Sequence, residues 1–76
     1  MSKFKIGDIV VTYNIANEYV HDIIGKPVEV GEIDKSKTHD QYFIRVKVNG
    51  RVRHIGHSEN QFEIFWPSDT KLGKLL

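Results

Sequence analysis

The sequence predicts an all-β domain, a small five-stranded and partly open barrel with a long first loop. Three observations carry this. The stretch YFIRVKVNGRVRHIG, residues 42–56, sets two runs rich in β-branched and aromatic residues on either side of Asn49-Gly50, the strongest short-range hairpin signal. Residues 28–34, VEVGEID, alternate apolar and polar as a half-buried strand does. The other apolar runs are short and bounded by turn residues. A barrel makes a core from few residues and covers its own edges.

Taken in order, Phe4 and Ile6 lead into a tight turn at Gly7-Asp8, and residues 9–13, IVVTY, read as the first strand. Residues 14–24, NIANEYVHDII, place Ile15, Tyr19 and Ile23 at helical spacing. So short a helix is marginal alone, and the segment reads as a long loop with at most one helical turn. Gly25-Lys26-Pro27 ends it, and the second strand spans 28–33. Gly31 within that strand predicts a bulge that lets the sheet bend over. A polar loop, 35–40, precedes the hairpin strands 42–47 and 51–55. The polar HSENQ, 57–61, reads as a 3₁₀ turn, and 62–65 as the last strand. The barrel is expected over residues 1–66, with 67–76 as a C-terminal tail. Predicted core positions are Ile6, Ile9, Val11, Val28, Val30, Ile44, Val46, Val52, Phe62 and Ile64.

The hairpin register decides what faces outward. A two-residue loop pairs Val48 with Arg51 and Val46 with Arg53, mixing apolar and charged groups. A three-residue loop, with Gly50 in the left-handed position, pairs Val46 with Val52 and Ile44 with His54 on one face. The other face then gathers Lys47 with Arg51, Arg45 with Arg53, and Phe43 with Ile55. The second register is expected, because burial of one face specifies register. Like charges set opposite each other are its cost.

Seventy-six residues make one domain with a small core, and no cysteine is present to staple it. A cysteine-free chain with no apolar run of membrane-spanning length and no signal peptide is expected to be soluble and cytoplasmic. The net charge of +1 gives no global argument for nucleic acid or membrane.

FKIGDIV (4–10), IGKPVEVGEI (24–33), YFIRVKV (42–48) and QFEIF (61–65) together resemble small SH3-like barrel proteins of phage and Gram-positive bacteria. The first two pieces are also similar to KOW-type modules, although the first loop here is longer. The resemblance implies an SH3-like barrel and a phage or mobile-element origin. It implies a binding or regulatory role without chemistry, because glycine–valine patterning of this kind reflects barrel geometry.

The residues agree that no enzyme is expected. No serine sits in a nucleophile-elbow context, no glycine-rich phosphate loop is present, and carboxylates such as Glu29 and Glu63 read as solvated strand positions. His54 and His57, with His39 nearby, do not make a metal set, since residues three apart on a strand face opposite ways. The expectation is a half-buried His54 with His39 and His57 exposed. No cofactor or small-molecule substrate is expected.

Two surfaces are candidates for binding. Between Gln41 and Ser58 lie Arg45, Lys47, Arg51 and Arg53 and no acid. With Phe43 as a stacking platform, these suit an anionic partner, nucleic acid or an acidic protein. Tyr13, Tyr19, Tyr42 and Trp66 border the long first loop and suit a protein segment in an aromatic groove. Each surface has a plain alternative, a solvated strand face for the cations and barrel-end packing for the aromatics. The tail, TKLGKLL, suits packing on the barrel, pairing with another copy or staying disordered.

Overall fold

A computed structural model describes residues 2–13, 18–38 and 40–68, and for Glu18, Tyr19 and Val20 the backbone alone. Expectations for 14–17, His39, the Tyr19 side chain and the tail from 69 onward lie outside these residues. The chain is all-β. Its strands are β1 (Ile9–Val11), β2 (Val28–Lys35), β3 (Tyr42–Val48), β4 (Arg51–Val52), β5 (His57–Ser58) and β6 (Glu63–Trp66). They form one antiparallel sheet in the order β4-β3-β2-β1-β6, with β5 also on β3. The sheet does not close, and it has six strands rather than five, because the expected 51–55 strand stops at Val52 and the first two residues of the expected 57–61 turn form β5.

The long connection after β1 carries a 3₁₀ segment, Glu18–Ile23, and a second, Glu59–Gln61, precedes β6. Ser58 caps the second, its hydroxyl accepting from the Asn60 amide at 3.3 Å. The bulge expected in β2 is present, since pairing with β3 shifts register between Val30 and Glu32. Gly31 is required there by contact. A Cβ at that position would lie 2.7 Å from Val52 Cγ2 and 3.3 Å from the Arg45 carbonyl oxygen.

The core is built from Phe4, Val10, Ile23, Val30, Ile44, Val46 and Phe62, with Val28, Ile33 and Val48 packed against it. Val11 is buried as expected, and β3 has the expected parity, with Ile44 and Val46 inside and Lys47 exposed. Ile6, Val52 and Ile64 are exposed, contrary to expectation, and Ile9 is half-buried. Phe4, Val10 and Ile23 take their place. Ile64 loses cover because β6 is an edge strand. Ile23 gains it because the parallel bridge Thr12–Ile24 pulls the 3₁₀ segment onto the end of β1.

The hairpin register is the main correction. Val48 pairs with Arg51 and Lys47 with Val52, so the loop is the two-residue Asn49-Gly50. Both residues have positive φ, 53° and 80°, as a turn matching the strand twist requires. The Arg53 amide donates to the Val46 carbonyl at 2.9 Å and continues the same register. A one-residue slip turns every side chain of a strand to the other face. Val52 therefore faces outward over Gly31, and Arg53 lies on the Val46 side. Burial could not enforce the expected register because β4 is only two residues long. Beyond Arg53 the chain loops out and returns two residues later in phase, so that Ile44 pairs with His57 and Phe43 with Ser58.

Candidate functional site: the hollow beside Tyr13 and the charged outer face

The outer face of β3 carries Phe43, Arg45 and Lys47, as read from the sequence. The neighbouring β2 presents acids to it. Glu29 lies opposite Lys47, Glu32 opposite Arg45 and Asp34 opposite Phe43. Arg45 Nη1 is 3.4 Å from Glu32 Oε2, Arg45 Nε is 3.1 Å from Asp34 Oδ2, and Lys47 Nζ is 4.0 Å from Glu29 Oε2. The Nε contact is an ion pair without a well-aimed hydrogen bond. Cross-strand pairs of opposite charge stabilise a sheet face, so this face is internally compensated.

Arg53 leaves that face altogether. It reaches the first 3₁₀ segment, where Nη1 donates to Asp22 Oδ1 at 3.0 Å and Nη2 donates to Asp22 Oδ2. The bidentate bond holds the Asp22 carboxyl below its usual range and raises the Arg53 guanidinium. Arg51 is exposed, and no ion pair to it exists among the described residues. Of the four cations expected to act together, three are thus engaged by carboxylates on other elements. Strand sequence alone could not reveal this, because the acids come from β2 and the 3₁₀ segment.

The aromatics are also dispersed. Tyr13 follows β1 and is 64% exposed. It opens onto a hollow of about 350 Å³ lined with Asn60, Gln61 and Glu63. Val11 pairs with Glu63 while Ile9 pairs with Trp66, so Tyr13 and Trp66 stand at opposite ends of β6. Tyr42 is half-buried on β3, with Lys35 Nζ 6.0 Å from its ring centre. Among the described residues Tyr13, Tyr42 and Trp66 therefore do not share one surface, and of these Tyr13 alone lines the hollow. Its partners Asn60, Gln61 and Glu63 were not among the expected site residues. The signal for Asn60 and Gln61 is the polar HSENQ segment next to a strand; Glu63 reads as a solvated strand position. A second hollow, of about 440 Å³, lies in the β2–β3 loop at Lys35, Ser36, Lys37, Thr38 and Asp40.

No family model, curated protein or solved structure matches this chain.

The histidine assignment reverses. His57 is buried, 7% exposed, opposite Ile44 with its ring 6.4 Å from that of Phe62, whereas His54 is exposed. Its Nε2 has no hydrogen-bond partner, and burial pushes its pKa down. No cluster of three or more His, Cys, Asp or Glu placed to hold a metal occurs among the described residues, and no described helix is long and apolar enough to cross a membrane.

Proposed function

We propose that the protein is a non-enzymatic binding module on an SH3-like barrel, and that it takes a segment of a protein partner at the hollow beside Tyr13. The SH3-like reading is supported by the order of elements. A long connection follows β1, a hairpin occupies the middle, a 3₁₀ turn precedes the last strand, and that strand returns to β1. The observation that carries the site is Tyr13. A phenol ring left open to solvent beside a polar hollow offers an apolar face and a hydroxyl together, the pairing that makes tyrosine common at interfaces. An anionic partner on Arg45, Lys47, Arg51 and Arg53, in the KOW manner, has less support because Glu29, Glu32, Asp34 and Asp22 already meet three of those cations.

The test is selection of a random dodecapeptide display library on the protein, with the Tyr13→Ala variant as counter-selection, beside titration with single-stranded DNA. Peptides that bind the parent and lose at least tenfold on Tyr13→Ala support the reading. No Tyr13-dependent peptide, together with DNA binding that falls steeply with salt and on Arg51→Glu, overturns it in favour of a nucleic-acid module.

A further inference from the structure

We propose that the partner segment is an extended, basic strand that adds to the free edge of β6 and brings a lysine or arginine side chain to the hollow beside Tyr13. This rests on the reading that the hollow takes a protein segment. β6 pairs with β1 on one side, and among the described residues nothing pairs with its other side. An edge of that kind is a row of unpaired N–H and C=O groups able to template another strand. Of the devices that blunt an edge, β6 has its short length, the charge of Glu63 and a register shift against β1, but no lysine or proline within the strand. It exposes Ile64, Phe65 and Trp66 instead, at 48%, 56% and 37%. The register shift against Ile9 and Val10 bends the strand at Phe65 without covering it.

Charge selects the occupant. Glu63 begins β6 and also lines the hollow, and no ion pair to it exists among the described residues. A carboxylate and a tyrosine ring lining one hollow together attract an ammonium or guanidinium group, by ion pairing and by the ring quadrupole. The Asn60 and Gln61 amides can supply carbonyl acceptors, and among the described residues no cation lines the hollow. A second copy of the chain is a poorer match, because Arg45, Lys47 and Arg53 of its hairpin are held by its own carboxylates and its exposed Arg51 lies on a strand of only two residues, too short to pair along β6.

The test uses synthetic versions of the Tyr13-dependent peptides, followed through Trp66, the chain's single tryptophan. The expected peptides carry lysine or arginine beside an apolar run and shift the Trp66 emission. They weaken at least tenfold when alternate backbone amides are N-methylated, and at least tenfold on Glu63→Lys, with Glu63→Gln intermediate and both variants melting as the parent does. Tyr13-dependent peptides that are acidic, or that tolerate N-methylation, overturn the proposal while leaving the hollow as the site. Failure to find any Tyr13-dependent peptide overturns the underlying reading instead. A dimer in sedimentation that excludes the peptide makes a second copy the occupant. Binding that emerges only after Leu72→Glu with Leu75→Glu makes the chain's own segment the occupant. Either result overturns the proposal.

Discussion

Arg53 and Asp22, thirty-one positions apart, join through two guanidinium hydrogen bonds that tie the β4 end of the hairpin to the 3₁₀ segment of the first loop. Both side chains keep solvent contact, so the link sets geometry more than it adds stability. It nevertheless explains why the basic hairpin is less basic than its sequence.

Separate replacement of either partner is expected to lower the melting temperature only slightly. The reversed pair, Asp22→Arg with Arg53→Asp, recovers part of that loss at low salt and none at high salt. Because the Asp22 carboxyl lies below its ordinary value of 3.8, its contribution is present above that pH and fades as pH falls through the folded value. Equal melting of the like-charged variant Asp22→Arg and the parent would show that the pair holds nothing in solution.

Asp8 closes the other end of the sheet. It is 5% exposed and accepts from the Lys5 amide at 2.9 Å and the Ser68 amide at 2.8 Å. Burial alone would raise its carboxyl, but the Ser68 and Lys5 hydrogen bonds outweigh that and hold it below 3.8. Asp8→Ala strands two donors and should cost about 1–3 kcal/mol in urea unfolding. Asp8→Asn, which can still accept from one amide, should cost less. Faster hydrogen exchange in β6 should accompany the loss, because Ser68 directly follows that strand and Pro67.

His57 makes stability depend on pH. Its folded pKa lies below the ordinary 6.5, so the unfolded chain binds the proton first as pH falls. Stability should be level in this respect above 6.5 and decline below it toward the folded pKa, by at most about 1.4 kcal/mol per pH unit. His57→Leu should flatten the curve between pH 6.5 and 4.5, above the carboxylate range. A parent whose denaturation midpoint does not move over that window would contradict a buried imidazole whose Nε2 has no partner.

Val52 over Gly31 tests the hairpin register. Gly31→Ala should cost about 1–3 kcal/mol, since the new Cβ meets Val52 Cγ2 and a backbone oxygen. In the double variant with Val52→Ala the combined loss should fall short of the sum by about 0.5–1 kcal/mol. Strict additivity would place Val52 elsewhere and restore the three-residue loop.

The turn itself gives the last test. With both central residues at positive φ, Asn49→Val and Gly50→Val should each destabilise, by about 1–2 kcal/mol or more, as read from thermal melts. A three-residue loop would spare Asn49.

Local chemistry made much of this legible in the sequence. Asn49-Gly50 marks a hairpin by backbone sterics, Gly31 marks a bulge, and the period of two in VEVGEID and in YFIRVKV sorts inside from outside. The all-β class, the parity of β3 and the 3₁₀ turn before the last strand follow from such short-range signals. What the tertiary structure decided depends on neighbours distant in the chain. The register of β4 turned on two residues too few to bury a face, on room over Gly31 and on the reach of Arg53 to Asp22. The neutralisation of the basic face came from carboxylates on β2 and the 3₁₀ segment, and the exposure of Ile64 from the place of β6 at the edge. The hollow at Tyr13 exists because β1 and β6 pair antiparallel, which brings Glu63 and the turn before it beside a residue about fifty positions earlier. Such pairings are chosen by the total burial of the folded chain, and no local window of the sequence contains that sum.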